Sequence, residues 1–187
     1  MPGLVPVPAP FAIAIAGVGG AGCHMVQRHQ QSVVASAQMQ HLAINTDRNT
    51  IARIQAMPAM LLHADASGID AVMPWLVDCK ALYLLVGLGG RTGSAATAAL
   101  AIAARDAGLH TVALVSMPFE WEGCRRRATA ELALKSVREC AAETVVVDGD
   151  AVAERLGEEA TLDQLMQEFD AALLRELDAR LAARMSP

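Results

Sequence analysis

Two glycine-rich stretches are notable for what their backbones permit. Gly17-Val18-Gly19-Gly20-Ala21-Gly22 and Gly87-Leu88-Gly89-Gly90-Arg91-Thr92-Gly93-Ser94 each follow a short aliphatic run. Without a Cβ the main chain can approach a phosphate closely. A helix that follows offers free N–H groups and the positive end of its dipole. One G-x-G-x-x-G turn is ambiguous: it suits a dinucleotide fold, another phosphate site, or tight packing of helix on strand. A pair is more specific, because two such turns can hold a phosphate chain from both sides. Thr92 and Ser94 add hydroxyl donors. Asp47 suits either of two roles, closing a turn through its side chain or contacting a metal or water beside phosphates.

The elements that position these residues follow from periodicity. Strand-length apolar runs at 11–18, 40–46, 59–62, 80–88, 110–115 and 144–147 alternate with helical segments at 23–31, 50–57, 94–108, 125–142 and 161–184. Asp148-Gly149-Asp150 reads as a turn. Alternation of this kind implies a parallel sheet covered by helices, so the expected fold class is a three-layer, Rossmann-like α/β domain. Both glycine turns follow strands and therefore share the carboxyl edge, where open sheets bind ligands. In the last helical segment Leu162, Leu165, Met166, Phe169, Leu173, Leu177 and Leu181 recur on one face. That stripe suits core burial, with a homodimer seam as the competing use. Glu176 and Arg180 have ion-pair spacing.

Composition excludes several classes. The chain is 53% hydrophobic, with a mean hydropathy of +0.32, yet no apolar run reaches the ~18–20 residues of a bilayer span. The apolarity reads as a sheet buried on both faces, with no membrane partner. A net charge of −5 argues against nucleic acid, and Arg125-Arg126-Arg127 is too short a basic run to reverse this. Four separated cysteines fit neither a zinc site nor a disulfide framework, so a reducing cytoplasm is expected. The five histidines show no ligand spacing and read as structural. Residues 1–10, with four prolines and no basic segment, read as a disordered arm, not a signal peptide, ahead of a domain over 11–187.

Four segments, in order, carry a resemblance. Gly17–Gly22 is similar to the G-V-G-G-G-G loop of FtsZ. Ile44-Asn45-Thr46-Asp47 resembles that family's V-N-T-D. Gly89–Ala95 resembles the tubulin signature G-G-G-T-G-[ST]-G, and Pro118–Arg127 resembles P-F-x-F-E-G-x-R-R-R. The resemblance to the FtsZ GTP-binding half covers about residues 11–178. It implies GTP or GDP as ligand, with the need for magnesium left open. It places Gly19, Gly20, Ala21 and Gly22 on the phosphates and Gly89, Gly90, Arg91, Thr92, Gly93 and Ser94 on their other side. By the same resemblance Glu122 accepts from ribose hydroxyls, Arg126 lies near sugar or phosphates, and Asp170 reads guanine. Without the resemblance, Glu122 and Asp170 read as a helix cap and a polar helix face, and Arg126 as a surface charge.

The departures from the family shape the functional expectation. Arg91 and Ala95 stand where the signature has glycines. If the first needs positive φ, arginine there costs about 1 kcal/mol or more. The third family loop, G-x-G-A-G-x-x-P, becomes residues 63–70, in which Asp65 and Asp70 would repel phosphate. His24 and Gly149 replace asparagines near guanine, and Met166 replaces the stacking aromatic. The sequence stops after the long helix, so no second domain and no catalytic residue is expected. The expectation is a guanine-nucleotide-binding module without efficient turnover. It would act through protein contacts, with FtsZ or itself, as a cap or regulator of division filaments. The alternatives are a slow self-associating GTPase and a nucleotide-free scaffold.

Overall fold

The strands carry aliphatic residues on both faces, as a sheet covered on both sides requires. Every residue of Ile13–Val18 is buried, and Ala81–Gly87 is buried as far as Val86. A computed structural model describes residues 13–32, 39–54, 57–63 and 67–185. Its order is β1 (Ile13–Val18), α1 (Gly19–Ser32), β2 (Met39–Asn45), α2 (Arg48–Arg53), β3 (Ala59–Leu61), β4 (Ala81–Gly87), α3 (Arg91–Asp106), β5 (His110–Met117), α4 (Cys124–Cys140), β6 (Glu143–Asp148), α5 (Gly149–Leu156) and α6 (Leu162–Met185). Short 3-10 turns lie at Ile69–Ala71, Met73–Leu76 and Glu120–Glu122.

The six strands form one parallel sheet in the order β3-β2-β1-β4-β5-β6. Chain order runs outward from β1 on one side and from β4 on the other, so the switch point falls between these two strands. Alternate residues feed two cores. On one face Ala14, Ala16, Leu82, Leu84 and Val86 pack with Ala96, Leu100 and Ala104 of α3 and Ala130 and Val137 of α4. On the other, Ile13, Ile15, Tyr83, Leu85 and Leu114 pack with Met25 and Val26 of α1 and Leu173, Leu177 and Leu181 of α6. This is the expected three-layer α/β architecture.

Several boundaries differ from the sequence expectation. The first helix begins at Gly19, not Cys23, because the positive φ of Gly19 (75°) turns the chain from strand to helix with no intervening loop. The third begins at Arg91, not Ser94, with extended Gly90 as its N-cap. The second stops at Arg53: Ile54 is extended, and the Pro58 carbonyl accepts from Ala43 N–H of β2. Asp148-Gly149-Asp150 is no turn. Asp148 caps α5, its side chain accepting from the Asp150 amide. The stripe on α6 divides. Leu165, Phe169, Leu173, Leu177 and Leu181 are buried, while Leu162 and Met166 are exposed near the carboxyl edge.

No helix among the described residues is long and apolar enough to cross a membrane. The four cysteines are free thiols. The expected arm at 1–10 lies outside the described residues.

Candidate functional site

The two glycine turns meet at the switch point, where open α/β sheets form a crevice. They follow adjacent strands, with Gly17 opposite Leu85 and Val18 opposite Val86. A Cβ on Gly19 would stand 3.1 Å from the Gly93 amide nitrogen. On Gly22 it would stand 2.2 Å from the Leu85 carbonyl oxygen, and on Gly93 2.5 Å from that of Gly87. On Gly87 it would press on Ala21 Cβ at 2.8 Å. Gly19, Gly22, Gly87 and Gly93 are therefore glycine because two helices sit directly on the strand ends. Gly20 and Gly90 differ: a Cβ there meets nothing within 4 Å. No packing contact requires either of them. Gly90 also offers α3 no capping side chain, so among the described residues the first-turn amides of that helix have no side-chain cap.

Arg91 is the first residue of α3 and carries no positive φ, so the expected strain is absent. The left-handed position of this turn is Gly89, at φ 89°. Arg91 is exposed and makes no ion pair among the described residues. Ser94 Oγ accepts from the Gly89 amide at 3.0 Å and braces its own turn. Thr92 Oγ1 lies 2.5 Å from Thr46 Oγ1, which joins the second glycine turn to the end of β2. Beside Thr46, buried Asn45 accepts from the amides of Thr46 and Asp47 at 2.8 and 3.1 Å. The sequence reading missed this organising role of Asn45.

Of the two roles weighed for Asp47, the structure shows the first. Its carboxylate accepts from the amides of Asn49 and Thr50 at 3.1 and 3.0 Å and from Thr50 Oγ1 at 2.6 Å, capping α2. These bonds, the hydroxyl's first, hold its pKa below the ordinary carboxylate value.

The Pro118–Arg127 segment reaches the second glycine turn. The Arg126 side chain packs where a Cβ on Gly89 would be, 2.8 Å from Cγ. Glu122 does not cap α4. Its Oε1 accepts from the Phe119 amide at 2.9 Å and its Oε2 pairs with Arg126 Nε at 3.0 Å. Each of these two residues is thus the other's partner. Arg127 bonds the Pro118 carbonyl at 2.9 Å, Asp148 at 2.7 Å and Asp150 at 3.0 Å, tying the segment to β6 and α5. Phe119 sits against Gly149, where a Cβ would lie 2.7 Å from its ring. Phe119 also tilts against Phe169 (centroids 5.1 Å apart) and stacks under Trp121 at 4.1 Å. The Trp121 face is 59% exposed.

Asp170 of α6 lies against α1. Its Oδ2 is 2.8 Å from Arg28 Nη1 and 3.4 Å from His24 Nδ1, and its side chain is 15% exposed. Arg28 did not figure in the sequence reading. Its signal was its position four residues after His24, on the same face of α1. Met166, one turn before Asp170, is half-exposed.

Asp70 is not near the phosphate space. It lines a cavity with Met73, Leu76, Cys79, Ala107 and Leu109, at the start of β5 and hence at the opposite sheet edge. Asp65 lies outside the described residues. Buried His29 and part-buried His41 form a pair, Nδ1 to Nε2 at 2.8 Å, with Asp178 3.3 Å from the other ring nitrogen of His29 but off hydrogen-bond geometry. Burial pushes the His41 pKa down to about 4, helped by His29, and lowers that of His29 too. Cys23, beside the first turn, is buried, bonded to the Ile44 carbonyl, and pushed up to about 11 by burial, which keeps it an unreactive thiol.

The comparisons with known proteins agree with this geometry. The tubulin/FtsZ family GTPase domain matches residues 67–157. The cell division protein FtsZ 1 of Archaeoglobus fulgidus is 30% identical over 160 residues, 76% of this chain and 43% of that protein. FtsZ 2 of Rhizobium meliloti is 35% identical over 157 residues, 72% of this chain and 43% of the relative. The chain therefore spans about half the length of the curated relatives it matches. Among solved structures, an empty FtsZ dimer of M. jannaschii superposes with a TM-score of 0.79 at 22% identity, covering 88% of this chain and 52% of that one. CetZ2 of Haloferax volcanii, solved as a GTPγS-bound protofilament, gives 0.75 at 22% identity, over 92% and 59%. Ordered motifs, strand order and these matches converge, and the chain belongs to the tubulin/FtsZ family.

Proposed function

We propose that this domain binds a guanine nucleotide, GTP or GDP, at the switch point between β1 and β4, and that it acts by contact with another protein of its family. The observation that carries the reading is the pairing of Gly20 and Gly90. One in each turn, they would bring a Cβ within 4 Å of no atom, while the neighbouring glycines are demanded by packing. In this reading the first turns of α1 and α3 hold the phosphates through backbone amides, with exposed Arg91 as a nearby cation. Asp170 and the Trp121–Phe119 stack flank the base and sugar side. Magnesium is assigned no protein ligand, since the Asp47 carboxylate is occupied by its cap. Chromatography of nucleotide released from the purified protein tests the reading: stoichiometric GDP or GTP supports it, and a nucleotide-free protein that takes up neither in calorimetry overturns it.

The protein contact is proposed at the same edge. Trp121, Leu162 and Met166 are exposed there, which suits a partner of the same family, FtsZ or a second copy. No general base is assigned: Asp47, Glu122 and Asp170 are each already bonded. The domain alone is therefore proposed to turn over slowly and to cap or restrain a filament. Co-sedimentation with FtsZ polymer tests this, and unchanged polymer mass and length counts against it. Phosphate release rising steeply with protein concentration would favour a self-associating GTPase instead. A nucleotide-free scaffold is the second reading, favoured by the self-pairing of Glu122 with Arg126 and of Asp170 with Arg28.

A further inference from the structure

Apolar surface gathers at the amino edge of the sheet, opposite the proposed nucleotide site and independent of it. A cavity of about 410 Å³ lies between the 3-10 turns that precede β4 and the end of α3. Met73, Leu76, Val77, Cys79 and Leu109 line it, with Asp70 beside them. Val77 is 76% exposed, and Trp75, on the same 3-10 turn as Met73 and Leu76, is 44% exposed. A concave, mostly apolar hollow of this size, edged by exposed apolar side chains, is the surface of a docking site.

The chain itself supplies an occupant of matching chemistry. Residues 1–12 lie outside the described residues, and their sequence carries no charged side chain. Leu4, Val5, Val7 and Phe11 are apolar, and Pro2, Pro6, Pro8 and Pro10 have no N–H. An extended segment of this kind brings few donors that an apolar groove would leave unsatisfied. Proline-rich segments dock on grooves that present aromatic side chains for the same reason.

Register puts the exit of that segment beside the groove. Ile13, at the start of β1, pairs with Ala81 of β4, and Ala81 pairs with His110 of β5. Cys79 and Leu109 stand just ahead of those two partners. With neighbouring strands about 4.8 Å apart, the groove begins roughly 5–10 Å across the sheet from Ile13. Twelve extended residues reach about 40 Å, so the segment is long enough to cross it. Asp70 and Asp78 are exposed there and make no ion pair among the described residues. An uncharged segment can lie beside these carboxylates, whereas an acidic one would be repelled.

Against the disordered arm expected from composition, we propose that residues 1–12 dock in this groove in cis. Their apolar side chains cover Met73, Val77 and Leu109, and their prolines lie on Trp75. The amino-terminal segment thus closes the edge of the sheet from which β1 starts.

The test is iodoacetamide labelling of the whole chain, read at Cys79 by peptide mass spectrometry, with Cys140, also partly exposed, as the reference thiol. In the double variant Val5→Asp, Val7→Asp the segment is driven off, so labelling of Cys79 should rise about fivefold or more with Cys140 unchanged. An unchanged Cys79 rate overturns the proposal. A native Cys79 rate that rises on dilution also overturns it, because the cover would then be a second copy. A second measurement locates the segment directly. Val7→Cys, oxidised with diamide, should form an intramolecular disulfide with Cys79 in preference to Cys140. Absence of that disulfide, or its formation only between chains, overturns the proposal.

Discussion

The two halves of the carboxyl edge differ in how their polar groups are engaged. Around β1 and β4, Gly20 and Gly90 face open space, and among the described residues α3 has no capping side chain and exposed Arg91 no ion-pair partner. Around β5, β6 and α6 the charged residues near the edge are paired within the chain. Glu122 bonds Phe119 and Arg126, Arg127 bonds Asp148 and Asp150, and Asp170 bonds Arg28. In the proposed reading the first half would receive an anion with no side-chain partner to displace. The second must release an internal partner before it can grip a ligand. Under the proposed function, the difference would assign affinity to backbone amides at one end of the site.

Four experiments probe that contrast. Gly22→Val carries the largest expected effect. Its Cβ would meet the Leu85 carbonyl at 2.2 Å, backbone against backbone. Overpacking of this kind costs about 3 kcal/mol or more, so urea unfolding should show a collapsed midpoint or no folded protein. A midpoint near that of the native chain would mean that α1 does not press on β4 as described.

Acid has the next effect. The His41 pKa is depressed to about 4 in the folded chain, below the ordinary ~6.5. The unfolded chain therefore binds the proton first as pH falls. His41's contribution is fully present above about pH 6.5 and is lost between there and about pH 4, amounting to about 3 kcal/mol. His29 is shifted in the same direction. Denaturant midpoints measured across this window should fall steeply, and His41→Leu should flatten the fall. An equally steep fall in that variant would place the acid sensitivity elsewhere.

Arg127→Met removes the tie between the Pro118–Glu122 segment and β6. Its partners are only partly shielded, so the loss is set at roughly 2 kcal/mol, below that of a fully buried pair. That corresponds to a fall of about 4–8 °C in Tm for a chain of this size. Trp121 fluorescence should shift as well, because the stack it belongs to is anchored by that segment. Gly20→Ala has the smallest effect on the fold and separates the two halves most directly. The methyl meets no atom and sits in a helix, so stability should be unchanged or up to about 1 kcal/mol higher. GDP affinity should nonetheless fall about tenfold or more by calorimetry, since the methyl enters the space left for phosphate. Undiminished affinity would move the phosphates away from this turn.

Much of the fold was legible along the chain. Six apolar runs separated by helical periodicity gave a parallel three-layer sheet, and each glycine turn fell after a strand. These are properties of short windows, decided by side-chain spacing and the conformational freedom of glycine. Helix starts were read late at Gly19 and Arg91, because a glycine run looks like a loop until a positive φ at one residue is seen to launch the helix directly. The α5 helix was missed because Asp148-Gly149-Asp150 has turn composition, and only the Asp148 cap reveals its use. Asp70 was misplaced because sequence order near a loop does not say at which end of the sheet a residue emerges.

The amino-acid order by itself determined the layers, the shared edge and the family, because those depend on patterns a few residues long. The tertiary structure alone decided which polar side chains are free. Arg28 meets Asp170 across 142 residues of sequence, Arg127 meets Asp148 across 21, and His29 meets His41 in a buried contact between a helix and a strand. Such meetings depend on how helices and strands distant in sequence are brought side by side in the packed sheet, which no local spacing encodes.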